Sequence, residues 1–235
     1  MARDYWFPGR WVGGTSMILG PLLLLTGTLL RSPFHFFYPQ QLAAAVEHPG
    51  LLTAAYTCFL AGNVLMWPAV ITLAGKIGQT RPAWAGWAGT LVVIGLFERT
   101  FHAGVDQAAV NVARHQGLAA AAKFVSDFYP DLHLFSYLSF TIMFGWYVLA
   151  VAAYLSRAMG LIRSLALAAM GLLPLGVLKG TEVVSVIGTV GLCVAFLPMG
   201  VHLLRTAPRP TRRSVLLALP VTVGLAALAY VSTLG

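Results

Sequence analysis

The feature that most restricts this sequence is the length of its uncharged apolar runs. Residues 11–30, 50–75, 132–155 and 214–234 contain no Asp, Glu, Lys or Arg, 159–178 contains only Arg163, and 182–204 only Glu182. A seventh run, 84–107, is apolar apart from Glu98, Arg99 and Asp106. A helix that crosses the hydrocarbon of a bilayer needs about 20 mostly apolar residues. The runs are continuous rather than alternating, which argues against strands. The sequence therefore predicts an all-α, polytopic membrane bundle of seven transmembrane helices, forming one domain over 1–235. Composition points the same way. Charged residues make up 9% of the chain, against about 25% in soluble domains. That is too little to cover a soluble surface, and 58% apolar residues exclude a disordered chain.

The net charge of +8 would suggest nucleic acid in a soluble protein. Here the basic residues sit in short loops, where they set orientation in the membrane, and no nucleic-acid partner is expected. Arg3, Arg10, Lys76, Arg81, Arg157, Arg163, Arg205, Arg209, Arg212 and Arg213 fall on one side of a seven-span chain. Arg31, Arg114, Lys123 and Lys179 fall on the other. This bias places the N-terminus inside and the C-terminus outside. Arginine exceeds lysine twelve to three, and Ala and Gly are abundant, which suits a GC-rich bacterial genome and a multi-pass protein of a bacterial cell membrane. Cys58 and Cys193 both lie in apolar runs and read as core residues rather than a disulfide. The N-terminal segment lacks the pattern of a cleaved signal peptide, so the first helix is expected to be retained.

With this orientation six of the seven acids lie in the outer half or outer loops, as do five of the six histidines. The densest group is LFERTFHAGVDQ in the third span. Glu98, His102 and Asp106 are spaced i, i+4, i+8 and share one helix face, with Arg99 beside them. Glu98 falls roughly 20 Å from the inner end of the span. Ionisable groups at that depth are costly and face the bundle interior or a wet cavity. They can form a proton-transfer site, or a self-neutralised network that only fixes packing.

A second group, DFYPDLH, holds Asp127, Asp131 and His133 at the entry to the fourth span. Asp127, Asp131 and Glu182 can also act as helix-terminal acids, and Thr181 as an N-cap. Asn63 is a polar residue in mid-span that can hydrogen-bond across helices. His35 suits an interfacial aromatic belt. Phe97, Phe101 and Tyr137 are among many aromatics flanking the acids. The segment 108–125 is too polar to span, and extends the third helix or lies along the outer interface.

An aromatic pocket with buried acids suits an apolar substrate that becomes cationic. A protonated carboxyl can donate to an alkene or epoxide, and aromatic faces stabilise the resulting cation. In size, span count and buried acids, the chain resembles the small integral-membrane terpene cyclases of fungal and actinobacterial meroterpenoid pathways. The resemblance implies metal-free, cofactor-free, acid-initiated cyclisation of a prenylated substrate that enters from the lipid. Glu98, His102, Asp106 and Arg99 would carry catalysis. Phe97, Phe101, Asn63, Asp131, His133, Tyr137 and Glu182 would line the substrate site. The second acid that the fungal members carry in their last span has no counterpart in SVLLALPVTVGLAALAYVSTLG. The competing readings are a metal-dependent membrane enzyme, a transporter, and a non-catalytic lipid- or antibiotic-binding protein. The partners expected are a lipophilic small molecule and membrane lipids, with oligomeric state open.

Overall fold

The computed structural model describes residues 7–130, 132–173, 176–208 and 212–232, and among these it is helical without any strand. Asp131, one of the expected substrate-site residues, lies outside the described residues. The chain divides into two compact units, Met1–Arg205 and Thr206–Gly235. The second unit holds one apolar helix, α10 (Arg212–Ser232), with Pro220 inside it.

The first unit opens with α1 (Arg10–Arg31), α2 (Tyr38–Glu47), α3 (Pro49–Gly78) and α4 (Pro82–Gln116). It continues through α5 (Leu118–Phe128), α6 (Leu134–Leu138), α7 (Thr141–Leu155), α8 (Leu161–Ala168) and α9 (Val183–Thr206). The starts of α3 and α4 follow from Pro49 and Pro82, each at a first-turn position where a missing N–H costs nothing. Gly117, at φ 92°, ends α4 in a conformation that disfavours a side chain. Among the described residues, four helical stretches are long and apolar enough to cross a membrane: Arg10–Arg31, Pro49–Gly78, Leu134–Leu155 and Val183–Thr206.

The fifth expected span, 159–178, is not a continuous helix. Its described residues form α8, a 3₁₀ turn over Ala169–Leu172, and non-helical chain at 173 and 176–178. Leu173 is extended, at φ −63° and ψ 130°. Gly176 and Leu178 both adopt positive φ, 110° and 50°. The sequence explains the break. Leu173 precedes a proline and is pushed out of the helical region, and glycines follow at 176 and 180. The helical part, Leu161–Leu172, is too short to cross a bilayer alone. The fourth expected span also differs, being interrupted between α6 and α7 at Ser139 and Phe140. Within the polar segment 108–125, α4 runs on to Gln116 and so extends the third expected helix, and α5 follows. Helix α2 was not expected.

Helix α1 packs on α3, and α4 packs on both α3 and α7. Small residues allow this approach. A Cβ on Gly62 would stand 2.6 Å from Leu24 N and 2.8 Å from Gly20 O. A Cβ on Gly95 would stand 2.8 Å from Thr141 O, so α4 and α7 meet backbone to backbone beside Glu98.

Two apolar cores result. One gathers Leu24, Met66, Leu73, Leu96, Trp146 and Phe196. The other gathers Leu42, Leu52, Ala109, Val125, Val177 and Leu178. Along α4 the chain passes from the first core at Leu96 to the second at Ala109, and Glu98, Arg99, His102 and Asp106 lie in between.

Because the α1–α3 contact leaves no room for a methyl group, Gly62→Val should destabilise the bundle by about 1–3 kcal/mol, the usual cost of overpacking. Thermal unfolding in detergent checks this. A melting temperature unchanged from the parent chain would show that the helices can separate freely here.

Candidate functional site

The polar layer of α4 divides into two settings. On the side toward α6 and α7, Glu98 is fully buried. Ser139 Oγ donates to its Oε1 at 2.6 Å, from the interruption between α6 and α7. His102 Nε2 lies 3.8 Å from the same oxygen, one turn along the helix. Glu98 Oε2 is buried without a hydrogen-bond partner. Beyond this pair lies an aromatic cluster. Phe101 stacks on Phe135 at 4.5 Å between centroids and meets His133 edge-on at 5.2 Å, with Phe128 beside them.

On the other side, Arg99, His102 and Asp106 face a small cavity of about 60 Å³. Its remaining wall comes from Thr28 and Arg31 of α1, Tyr56, Phe59 and Asn63 of α3, Ser185 of α9, and the irregular segment at Leu173, Gly176, Lys179 and Gly180. Asp106 Oδ1 accepts the backbone N–H of Leu178 at 2.6 Å. Arg31 Nη1 donates to Lys179 O at 3.2 Å. Gly180 N–H reaches Phe36 O at 2.8 Å, and the Thr181 hydroxyl reaches Thr28 O at 2.8 Å. The phenol of Tyr129 donates to Val177 O at 3.1 Å. The irregular segment is thus tied down by partners from several parts of the first unit, as buried non-helical backbone requires.

A larger and more apolar groove, about 390 Å³, runs between α3 and α4. It is bordered by Leu52, Thr53, Thr57, Thr100, Gly104 and Val110 among others. Tyr56, Leu60, Ala103 and Asp106 line both spaces and form their common wall. Tyr56 is fixed by its hydroxyl, which donates to Gln41 Oε1 at 3.3 Å.

The expected catalytic residues therefore come together only in part. Arg99, His102 and Asp106 line the cavity, whereas Glu98 stands behind His102 and outside that lining. Of the expected substrate-site residues, Asn63 lines the cavity. Its Nδ2 donates to Leu96 O and to Thr100 Oγ1, both at 3.0 Å, and so ties α3 to α4, while Oδ1 is buried and unpartnered.

Phe101 and His133 belong to the aromatic cluster behind Glu98. Phe97 and Tyr137 are turned outward, with exposures of 50% and 67%, and Phe97 rests against Trp67. Glu182 borders a separate shallow recess with Ser32 and Thr181. Helical spacing puts residue 97 on the face opposite the cavity, and α6 presents Tyr137 outward, which accounts for both positions. Asp127 pairs with Lys123 at 2.7 Å on the exposed face of α5. Thr181 ties α1 rather than capping α9. Among the described residues no three His, Cys, Asp or Glu side chains converge into a metal-sized cluster.

Arg31, Tyr56, Ser139 and Lys179 were missed by the sequence reading. Arg31 and Lys179 were counted only as loop charges. The available signal was that each follows a long apolar run, and that the acid next after Arg31, Glu47, is sixteen positions away.

The chain matches no known protein family, and neither a curated protein nor a solved structure shows significant similarity to it.

Asp106→Ala should leave the Leu178 N–H buried without an acceptor, a loss of about 1–3 kcal/mol. Asp106→Asn retains a carbonyl acceptor and should stay near the parent stability. Comparing the two variants' thermal unfolding checks this. Equal stabilities would mean that the Leu178 contact contributes nothing.

Proposed function

We propose that the protein is a polytopic membrane enzyme that takes a lipophilic small molecule sideways from the bilayer. The apolar part lies in the α3–α4 groove and the polar end enters the small cavity. The observation that carries this reading is the common wall: a 390 Å³ apolar groove and a 60 Å³ polar cavity share Tyr56, Leu60, Ala103 and Asp106. Ligand pockets are commonly about 300–1,000 Å³, apolar, with a few convergent polar groups. The cavity holds several times the ~10–15 Å³ that admits one water, enough for a headgroup and too little for a chain.

The chemistry available is proton transfer. His102 faces the cavity, and Glu98, oriented by Ser139, stands behind it at 3.8 Å. A carboxylate and an imidazole one helical turn apart, the imidazole facing the cavity, are the residue types of a general acid–base pair. Acid-initiated cyclisation of a prenylated substrate, which the resemblance to membrane terpene cyclases implies, would use the same pair. The aromatic cluster of Phe101, Phe128 and Phe135 beside it favours that reaction. Arg31, Arg99 and Lys179 oppose it, because three cations raise the energy of a carbocation formed in the cavity. Proton transfer at a polar headgroup is therefore the stronger form of the reading.

Gly104 borders the groove and a Cβ there meets nothing within 4 Å, so Gly104→Trp places an indole beside it. Native mass spectrometry of the parent chain purified from membranes should reveal a bound lipophilic molecule, and Gly104→Trp should lose it. Equal occupancy in both would remove the groove from the reading. Lipid extracts of cells making the parent chain should further contain a product missing with His102→Ala. If both proteins retain the same unchanged molecule and no product distinguishes them, the protein binds without catalysis.

The proposal includes seven crossings, with the N-terminus inside and the cavity in the outer half, on the basis of the loop charges. A C-terminal tag should then be labelled from outside intact cells. Labelling only after permeabilisation would overturn the arrangement of seven crossings with the N-terminus inside.

A further inference from the structure

We infer that the cavity is a binding site for an anionic headgroup of phosphate type, carried on a lipophilic chain. This rests on the groove-and-cavity reading above and adds the chemical class of the ligand.

The argument is one of charge and unsatisfied donors. Among the cavity's lining residues, Arg31, Arg99 and Lys179 are cationic and Asp106 is the one carboxylate. Asp106 already accepts from Leu178 N–H. Among the described residues Glu98 pairs with His102 and Asp127 with Lys123, and no described carboxylate stands within 4.0 Å of any of the three cations.

Arg31 is buried and is held in place. Its Nε donates to Gly27 O at 3.3 Å, and its guanidinium lies 4.9 Å from the Tyr56 ring centre and 4.7 Å from that of Phe59. Lys179 Nζ lies 5.3 Å from the Phe36 ring centre and 5.4 Å from that of Phe37. Arg99 is the decisive group. Its Nε and Nη2 are both buried and neither has a hydrogen-bond partner.

A buried guanidinium with two unmet donors is expensive, because desolvation is not offset by a counter-charge or by hydrogen bonds. Nε and one terminal nitrogen together make the fork that grips two oxygens of a phosphate or carboxylate. Phosphate suits the site better, since three cations with one carboxylate leave an excess of two positive charges, and the planar fork is joined by the point charge of Lys179. The neighbouring groove supplies the place for a chain attached to that anion.

The test uses the full chain in phosphatidylcholine nanodiscs, with dodecyl phosphate, dodecanol and inorganic phosphate as probes in calorimetric titration. Dodecyl phosphate should bind at least tenfold more tightly than dodecanol and than inorganic phosphate. Arg99→Gln should weaken dodecyl phosphate by tenfold or more while leaving dodecanol unchanged, and that unchanged affinity also shows that the variant is folded. Lys179→Gln should act in the same direction.

Equal affinities for dodecyl phosphate and dodecanol would overturn the anion site and leave the groove standing. An Arg99→Gln protein that binds dodecyl phosphate as well as its parent does would also overturn it. Inorganic phosphate binding as tightly as dodecyl phosphate would support the anion site but reject the lipid chain, and with it the groove reading. If no probe binds, both fall.

Discussion

The irregular stretch after Leu172 controls the arrangement around it. Backbone that leaves a helix inside an apolar bundle exposes N–H and C=O groups that neither lipid nor core side chains can satisfy. Each such group has to find a partner within the protein. The partners here are Asp106, Arg31, Tyr129 and Phe36, drawn from four other parts of the first unit. Two of the four are charged side chains. The break in the helix and the inward turn of Arg31 and Asp106 are therefore one structural event, and the cavity is the space they enclose. A regular fifth helix would satisfy its own backbone and leave Asp106 with no N–H to accept.

The same constraint explains why the polar residues form a layer. Glu98, Arg99, His102 and Asp106 lie between two separate apolar cores, and Asn63 crosses from α3 to bond α4 at Leu96 and Thr100. Small residues make the layer compact. Gly95 brings the Thr141 backbone against α4, and the interruption at Ser139 and Phe140 places a hydroxyl 2.6 Å from Glu98. Helix α4 has 35 residues, about 52 Å at the usual rise, against a hydrocarbon thickness of about 30 Å. Its far end can thus lie beyond the apolar slab and carry Arg114 and His115 at no desolvation cost.

The helical class and the existence of the polar cluster were legible in the sequence because both depend on local pattern. Long uncharged runs define helices, and the i, i+4, i+8 spacing puts Glu98, His102 and Asp106 on one side of α4. What was not legible depends on contacts distant in sequence. Asp106 and Leu178 are 72 positions apart, and Arg31 and Lys179 are 148 apart. Hydropathy treats 159–178 as one apolar run because it ignores backbone conformation, so the consequence of a proline after Leu173 passed unseen. The acids drew attention because buried acids are rare. Arg31 and Lys179 did not, because arginine and lysine at the ends of apolar runs are the ordinary signals of topology.

Sharing one face does not give four groups one role. Glu98 faces the α6–α7 junction, where a hydroxyl and an imidazole surround it, whereas Asp106 is spent on a backbone N–H. Neither carboxylate neutralises Arg99. The self-neutralised network that the sequence also allows would pair Arg99 with a carboxylate, and neither Glu98 nor Asp106 stands within 4.0 Å of it. The segment that needs Asp106 as an acceptor instead leaves the guanidinium uncompensated, and it adds Lys179 on the same wall. The excess positive charge thus follows from the way the broken helix is held. That ties the chemistry of the cavity to the fold around it rather than to the acids that first marked the sequence.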